Sequence, residues 1–347
     1  MKFNLENIIR ENVKGLKPYS SARDEYVSDG SEMVFLDANE NPFDNGVNRY
    51  PDPQQRGLKT VLAEQKKLDQ RNILLGNGSD EVLDLLFRAF CEPKTDNIIT
   101  LPPTYGMYKV LAGTNDIENR EVLLTTDFQL NVDSILKQVD SYTKLIFICS
   151  PNNPTGNSFD EASILKLLKS FTGLVIIDEA YIDFSEQTSW VSRLKEFPNL
   201  VVTQTLSKAY GMAGIRLGIC IASEAIISVL NKIKPPYNVN ELTQAYALKR
   251  VANILRIQSE VTELLEQKRL LLQVLPKVSF VKKVYPSDAN FLLVKVDDAD
   301  KRYEQLLKKG VVVRNRSSQP LCENTLRLTI GTSEENIKLV TALKNLS

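Results

Sequence analysis

One stretch of the chain combines a lysine, two hydroxyl side chains and an arginine in a glycine-punctuated loop. Lys208 follows Thr205 and Ser207 at the end of an apolar run, and Arg216 stands just before the next such run. Lysine forms a Schiff base with an aldehyde cofactor, and its amine becomes reactive when burial and nearby cations lower its pKa. Arg216 supplies a cation and a fork for phosphate, to which Thr205 and Ser207 can also donate hydrogen bonds. A lone Ser-Lys pair would be weak evidence, so the interpretation depends on the whole stretch.

Two other polar motifs come directly after apolar runs. Asp178 and Glu179 follow the run 174–177, and the turn Ser150–Gly156 follows the run 144–149. A carboxylate at the C-terminal end of a parallel strand lies where α/β sheets bind ligands, and there it can keep a cofactor ring nitrogen protonated. The prolines and glycine of the turn present its asparagine amides rigidly. Without the lysine stretch, a helix cap and a bare turn would be the simpler interpretations.

Two further motifs fit a phosphate and a flat ring. Gly76–Glu81 precedes an amphipathic stretch, so free backbone N–H groups at a helix N-terminus would form an anion site, although an ordinary N-cap fits these residues equally well. Leu101–Tyr108 also follows an apolar run, and its Pro-Pro turn would hold an aromatic ring for stacking on a planar cofactor. No Walker-type phosphate loop and no G-x-G-x-x-G motif after a first strand occurs, which disfavours nucleotide binding.

Composition narrows the classes of function. Among 347 residues, Lys+Arg and Asp+Glu both number 43. The chain therefore has no net positive charge that would favour binding to nucleic acid or to an anionic membrane. Histidine is absent, which leaves acid–base work to Lys, Tyr, Asp or Glu. The four widely spaced cysteines are interpreted as buried free thiols, and no metal site is expected. Because neither a leader-like apolar region nor a run of about 18 apolar residues occurs, the protein is expected in the cytoplasm.

The elements that must position these residues alternate along most of the chain. Apolar runs predicted as buried strands alternate with helical patterns at Ser79–Phe90 and Asp160–Ser170, which favours a mostly parallel sheet covered by helices. The predicted strands are 97–101, 144–149, 174–177, 200–203 and 217–222. A long helical stretch with room for one break covers Asn240–Leu275. A helix near 299–309 and four more strands then predict a small α+β unit. These strands are 280–284, 290–296, 310–314 and 325–329.

The predicted organisation is a large α/β domain followed by a smaller one. Residues 30–265 are assigned to the large domain, and residues 1–29 with 266–347 to the small domain. The first residues are too few to fold alone, so they are expected to pack as an arm against the C-terminal α+β unit. The sequence shows neither an internal repeat nor a low-complexity linker between the two.

Together the motifs resemble the fold-type I pyridoxal-phosphate (PLP) aminotransferases and, within them, the histidinol-phosphate branch. The likeness covers essentially the whole chain. Ser150–Gly156 and the stretch around Lys208 belong to the wider class, whereas Pro102–Tyr108 and several N-terminal segments point to the branch. These segments are Arg10–Val13, Leu16–Tyr19, Leu36–Pro42 and Arg49–Pro53. The resemblance implies a large domain with a mostly parallel, seven-stranded sheet covered by helices, plus a small α+β domain.

The resemblance also implies roles around the cofactor. Lys208 would be the Schiff-base lysine and the base that moves a proton, Asp178 would hold the pyridinium nitrogen, and Tyr105 would stack on the ring. Asn153 and Tyr181 would bind the phenolic oxygen of the ring. The residues around the cofactor phosphate would be Gly78, Ser79, Asp80, Thr205, Ser207 and Arg216.

Further implied roles concern the substrate and a second subunit. Tyr50 would reach the cofactor phosphate of a neighbouring subunit, which makes a homodimer necessary for function. Arg314 and Arg327 would grip substrate anions, since two arginine forks can accept either a phosphate or a dicarboxylate. The rest of the substrate pocket would be lined by Tyr19, Asn39 and Tyr237.

The reaction implied by the resemblance transfers an amino group between L-histidinol phosphate and 2-oxoglutarate. Its products would be imidazole-acetol phosphate and L-glutamate, in histidine biosynthesis. Relatives with the same motifs leave two alternatives within PLP chemistry: an aromatic amino-acid aminotransferase and a phospho-amino-acid decarboxylase. A non-enzymatic binding protein on the same fold is the third alternative. The expected partners are the small substrates and a second copy of the chain.

Overall fold

A seven-stranded sheet forms the centre of the larger part of the molecule. The structure is a computed structural model, and it describes residues 3–18 and 33–346. The strands are β1 (Ile73–Asn77), β2 (Asn97–Thr100), β3 (Glu118–Glu121), β4 (Thr143–Cys149), β5 (Leu174–Asp178), β6 (Leu200–Thr205) and β7 (Leu217–Ala222). Their order is β1-β7-β6-β5-β4-β2-β3, with β7 antiparallel to both neighbours and the other pairs parallel. The predicted mostly parallel, seven-stranded sheet is confirmed.

Helices cover both faces of this sheet, which explains why its central strands are apolar throughout. Every residue of β5, β6 and β7 is buried. Alternate side chains point to opposite faces, so Val175 and Ile177 join one apolar cluster whereas Leu174 and Ile176 join another. The α-helices of this part are α1 (Glu11–Lys14), α2 (Arg56–Lys66), α3 (Gly78–Phe90), α4 (Met107–Thr114), α5 (Val132–Lys137), α6 (Glu161–Ser170), α7 (Glu224–Ile233) and α8 (Glu241–Val251). Short 3-10 helices lie at Leu5–Asn7, Gln70–Asn72, Ile182–Phe184, Trp190–Arg193 and Ala213–Ile215.

Two strands of the large sheet lie outside the sequence prediction. β3 is an edge strand of four polar or charged residues, so no apolar run marks it. β1 begins with three apolar residues but runs directly into Gly76 and Asn77, which by themselves indicate a turn. β1 joins the sheet by pairing with β7, which is distant in sequence, whereas β3 pairs with β2, the strand before it along the chain.

An antiparallel four-stranded sheet forms the C-terminal part. Its strands are β8 (Val281–Val284), β9 (Phe291–Val296), β10 (Arg314–Asn315) and β11 (Thr325–Thr329), in the order β10-β11-β9-β8. Its helices are α9 (Ile254–Val274), the 3-10 helix Leu275–Lys277, α10 (Ala299–Lys308) and α11 (Ser333–Lys344). The predicted strand 310–314 is wrong over most of its length. Gly310 adopts a φ of +76° as α10 ends, and Val311 donates back to Leu306, so ladder pairing begins only at Arg314.

The two faces of the small sheet have different neighbours. Leu292 and Val294 belong to the core of the small domain, whereas Phe291 and Leu293 belong to a cluster of the large domain. Arg327 pairs with Leu293 across the ladder and therefore lies on the face toward the large domain. The small sheet thus presents one row of side chains to the edge of the large sheet.

The described residues of the predicted N-terminal arm, 3–18, pack on the large domain and not, as predicted, against the C-terminal unit. Ile8 and Val13 are buried in the same apolar cluster as residues of α3 and α7. The backbone N–H of Arg10 donates to the carbonyl of Ala89 at 3.1 Å, and its guanidinium pairs with Glu92 at 3.0 Å. The apolar side chains of the arm are removed from water on this side of the sheet, which fixes its position.

The long helix α9 connects the two parts. Its Ile257 belongs to the large-domain cluster, and its Leu271 belongs to the small-domain core. The predicted domain boundary at residue 265 falls inside this helix and stays a prediction. All four cysteines are buried and free, which confirms the predicted free thiols. In the described ranges, no helix is both long enough and apolar enough to cross a membrane.

Candidate active site

The polar motifs converge at the edge of the large sheet where its parallel strands end. Asp178 ends β5, Asn153 follows β4, and Lys208 follows β6. Arg216 precedes β7, which begins at this same edge because it runs antiparallel to β6. They surround a cavity of about 480 Å³ in the position where α/β sheets bind ligands. The predicted site residues that line it are Ser79, Asp80, Tyr105, Asn153, Asp178, Tyr181, Thr205, Ser207, Lys208, Arg216, Arg314 and Arg327.

Asp178 is a buried carboxylate with one free oxygen. Its Oδ2 accepts a hydrogen bond from the Tyr108 hydroxyl at 2.7 Å, whereas its buried Oδ1 has no partner among the described residues. Burial raises the pKa of Asp178, because a charge without a counter-charge is unfavourable there. A protonated ring nitrogen at Oδ1 would satisfy both the oxygen and its charge. The residues present therefore fit a pyridinium ring.

Tyr108 is a site component that the sequence analysis does not name. Its side chain is fully buried, and its ring stacks on Phe147 with centroids 4.9 Å apart. It also meets the Tyr105 ring edge-on at 5.5 Å. No feature of the sequence around Tyr108 distinguishes it from a core tyrosine, because its role depends on the hydrogen bond to Asp178.

The opposite end of the cavity carries positive charge. Gly78 has a φ of +76°, and a Cβ there would lie 2.6 Å from the guanidinium of Arg216, so only glycine allows this approach. Asp80 accepts from Arg216 at 3.2 Å and from the Tyr105 hydroxyl at 3.1 Å. The carboxylate of Asp80 thereby orients the arginine and the ring. The guanidinium and the N-terminus of α3 then offer an anion site of the kind that holds phosphate.

Lys208 projects into the cavity between these two ends. Its amine lies 5.8 Å from the centroid of the Tyr181 ring. Partial burial and the positive charges of Arg327 and Arg216 lower the pKa of Lys208, although Asp178 acts in the other direction. A lowered pKa favours the neutral amine, which is the form that acts as nucleophile and base. The lysine is therefore suited to carbonyl chemistry.

Arg327 connects the small sheet to the large domain. Its guanidinium donates to Asn153 Oδ1 at 2.6 Å, and Asn153 Nδ2 donates to the Tyr181 hydroxyl at 3.4 Å. The guanidinium also lies 5.2 Å from the centroid of the Phe291 ring. Arg314 pairs with Arg327 across the ladder, so two guanidiniums face the cavity together. This arrangement agrees with an anion-binding role for both arginines.

Four other predicted residues lie elsewhere or are not described. The rings of Tyr50 and Tyr237 stack with centroids 4.6 Å apart, and Asn39 and Tyr50 line a second hollow. Within one chain the structure does not bring Asn39 or Tyr237 to the predicted substrate pocket, because residues 38–51 lie against the start of α8 and not against the strand ends. Tyr50 is half exposed, and its role across a subunit interface stays a prediction. Tyr19 lies outside the described residues.

Glu179, the neighbour of Asp178, has a structural role. Its buried carboxylate accepts from the Ser189 hydroxyl and the Trp190 backbone N–H, each at 2.6 Å, and from the Gln204 amide at 2.8 Å. All of these partners lie outside the lining of the cavity. Of the two adjacent acids, Asp178 alone has a free oxygen there.

Gly218 packs directly against the backbone of the anion-binding turn. A Cβ there would overlap the amide nitrogen of Ser79 and the carbonyl carbon of Gly78. We expect Gly218→Ala to force β7 away from the start of α3, to lower the free energy of unfolding by about 1–3 kcal/mol and to weaken cofactor binding. Urea unfolding and cofactor titration measure both effects. In Gly214→Ala, the matched control, the new Cβ has no atom within 4 Å; equal losses in the two variants would contradict the argument.

The comparisons with known proteins agree with this geometry. The model of the family "aminotransferase class I and II" matches residues 31–343. A histidinol-phosphate aminotransferase of Flavobacterium johnsoniae is 67% identical over 99% of this chain and 99% of that protein. The structure of histidinol-phosphate aminotransferase from Clostridium acetobutylicum covers 86% of this chain and 91% of its own, with a TM-score of 0.80 and 25% identity. That of the Sinorhizobium meliloti enzyme in complex with pyridoxal-5'-phosphate covers 86% and 82%, with a TM-score of 0.78 and 20% identity. The chain belongs to the aminotransferase class I and II family.

Proposed function

We propose that this chain is a PLP-dependent transaminase acting on L-histidinol phosphate and 2-oxoglutarate, with imidazole-acetol phosphate and L-glutamate as products, in histidine biosynthesis. The observation that carries the proposal is the distribution of charge around the cavity. The cavity is lined by Asp178, which has a free carboxylate oxygen, and by Lys208, whose pKa is lowered. Arginines line it from two sides, Arg216 from the large domain and Arg314 with Arg327 from the small sheet. The relative from Flavobacterium johnsoniae, which matches over the full length, bears the name of this activity.

The residues present fit the cofactor at each of its polar groups. Asp178 Oδ1 would accept the ring N–H, and Asn153 and Tyr181, which are joined by a hydrogen bond, would bind the phenolic oxygen. Arg216 and the N-terminus of α3 would hold the phosphate. When bound, PLP supplies an aldehyde that takes up the amino group and a ring that acts as an electron sink.

The chain's own residues supply the proton transfer and the orientation of the substrate. The neutral Nζ of Lys208 would accept the proton from the amino-bearing carbon of the donor and release it on the other side of the transferred nitrogen. Arg314 and Arg327 would hold the anionic end of each substrate, because a guanidinium fork binds a phosphate or a carboxylate. The donor and 2-oxoglutarate can thereby occupy the same site in turn.

A homodimer and a cytoplasmic location belong to the proposal. Val34, Leu36 and Phe43 have exposed fractions of 80%, 87% and 80%, so the segment around them leaves much apolar surface open in one chain. A second copy of the chain would cover such a surface. Tyr50, in the same part of the chain, would then reach the cofactor phosphate of the partner.

A donor comparison tests the function. We expect purified holoenzyme to form glutamate from histidinol phosphate and 2-oxoglutarate much faster than from phenylalanine and 2-oxoglutarate. Equal or higher rates with phenylalanine would favour an aromatic aminotransferase, and release of carbon dioxide from a phosphorylated amino acid would favour a decarboxylase. If borohydride reduction leaves no cofactor label on Lys208, the chain is a binding protein and the proposal fails.

A further inference from the structure

The face of the small sheet that meets the cavity carries three arginines. Arg314 lies on β10, Arg316 directly follows this strand, and Arg327 lies opposite Arg314 on β11. The N–H of Arg316 donates to the carbonyl of Thr325 at 2.9 Å, so the ladder geometry continues through Arg316. Side chains two residues apart on a strand share a face, as do partners directly across a ladder. Accordingly, all three guanidiniums line the cavity.

Among the residues that the structure describes, these arginines lack the counter-charges that structural arginines have. In the described part of the chain, no carboxylate pairs with any of the three, and the buried Nε atoms of Arg316 and Arg327 have no hydrogen-bond partner. Arg302, in the same domain, shows the contrast, because it donates to both carboxylate oxygens of Asp297 at 2.9 and 2.8 Å. Arg316 and Arg327 are partly buried, and such cations are unfavourable without a counter-charge. The cluster is therefore arranged for an anion that the described part of the chain does not supply.

The number of guanidinium groups matches a substrate phosphate better than a substrate carboxylate. Near neutral pH a phosphate monoester carries close to two negative charges and presents three acceptor oxygens on one group, whereas each of the two carboxylates of glutamate carries one charge and two oxygens. Two guanidiniums, Arg314 and Arg327, already suffice for a carboxylate. A third guanidinium on the same face has a matching acceptor only when the third oxygen of a phosphate is present.

We propose that Arg316 is a third phosphate-binding residue that sets the preference of this site for the phosphorylated donor over glutamate. The inference rests on the proposed function and deepens it, because it assigns the discrimination between the two substrates to one residue. The sequence signal for it is the spacing Arg-x-Arg at 314–316, which places two forks on one face of a strand.

Arg316→Gln in the holoenzyme tests the role in turnover. We expect KM for histidinol phosphate to rise roughly 10- to 100-fold, as for the loss of a charge-assisted hydrogen bond, with kcat little changed. KM for glutamate in the reverse direction should change far less. Arg316→Lys keeps the charge and should recover part of the affinity, and Arg269→Gln, which removes the same charge from the exposed surface of α9, is the matched control. Equal losses for both substrates would indicate a merely structural role and overturn the proposal.

Calorimetric binding of inorganic phosphate to the holoenzyme tests the same residue without turnover. The bound cofactor blocks its own phosphate site, so the titration reports the substrate side. We expect the dissociation constant to rise in Arg316→Gln and to stay unchanged in Arg269→Gln. An unchanged constant in Arg316→Gln, or no binding to the unaltered protein, would overturn the inference. If phosphate binds through Arg316 but histidinol phosphate is not turned over, the proposed function fails while the phosphate site stands.

Discussion

Lys208→Ala is expected to lose nearly all transamination while the cofactor still binds. The general-base part of the reaction alone accounts for roughly 10²- to 10⁴-fold in rate, and the variant also loses the amine that attaches the cofactor. Binding should persist because Asp178, Arg216 and the N-terminus of α3 do not depend on the lysine. The measurement is a single-turnover reaction of the loaded variant with histidinol phosphate, followed beside a cofactor titration.

The controls for this variant separate chemistry from folding. Lys249→Ala removes an exposed lysine from α8 and should behave as the unaltered protein. A small primary amine added to Lys208→Ala should restore part of the rate, since the cavity then again contains a base. Near-normal turnover without added amine would refute the assignment of Lys208.

Asp178→Asn is expected to lower kcat by roughly 10²- to 10³-fold, as for other losses of a preorganised electrostatic contact. The amide keeps the shape of the side chain and can still accept from the Tyr108 hydroxyl, but it removes the negative charge opposite the ring nitrogen. The dissociation constant of the cofactor should rise as well. Steady-state rates at saturating cofactor and a direct cofactor titration separate the two effects.

The pH dependence of cofactor binding gives Asp178 a signature of its own. Burial raises the pKa of this carboxyl above its ordinary value, so the free protein takes up a proton there as pH falls through that raised pKa. The protonated acid cannot pair with a pyridinium, and cofactor affinity should weaken over the same interval. Asp178→Asn should lack this acid limb, whereas Tyr108→Phe, which keeps the carboxylate, should shift it. An identical pH profile in all three proteins would contradict the assigned role.

The sequence predicts the parts of the fold in which local pattern and final environment agree. The strands that end at Cys149, Asp178 and Thr205 are buried on both faces, so their apolar runs are visible without a structure. Polar residues at those strand ends are visible for the same reason, and most of them line the cavity. β3 depends on its pairing with β2, and the conformation of residues 310–313 depends on the end of α10. The local sequence pattern encodes neither.

The part of the site that the sequence does not reveal depends on distant contacts. Tyr108 matters because its hydroxyl reaches Asp178, seventy positions away, and nothing in its own motif distinguishes it from a core tyrosine. The spacing Arg-x-Arg at 314–316 indicates that Arg316 shares a face with Arg314, but only the pairing with β11 brings it to the same cavity as Arg327. The burial of Ile8 and Val13 against the large domain likewise depends on which apolar surface lies nearest after folding.

The hydrogen bond between Trp190 and Glu179 has a spectroscopic consequence. Trp190 is the single tryptophan of the chain, and it is buried. Its backbone N–H donates to Glu179, the residue next to Asp178. Indole emission therefore comes from a single buried position. A bound chromophore that absorbs at the emission wavelength takes up that energy, so intrinsic fluorescence follows the loading of the cavity without any added label.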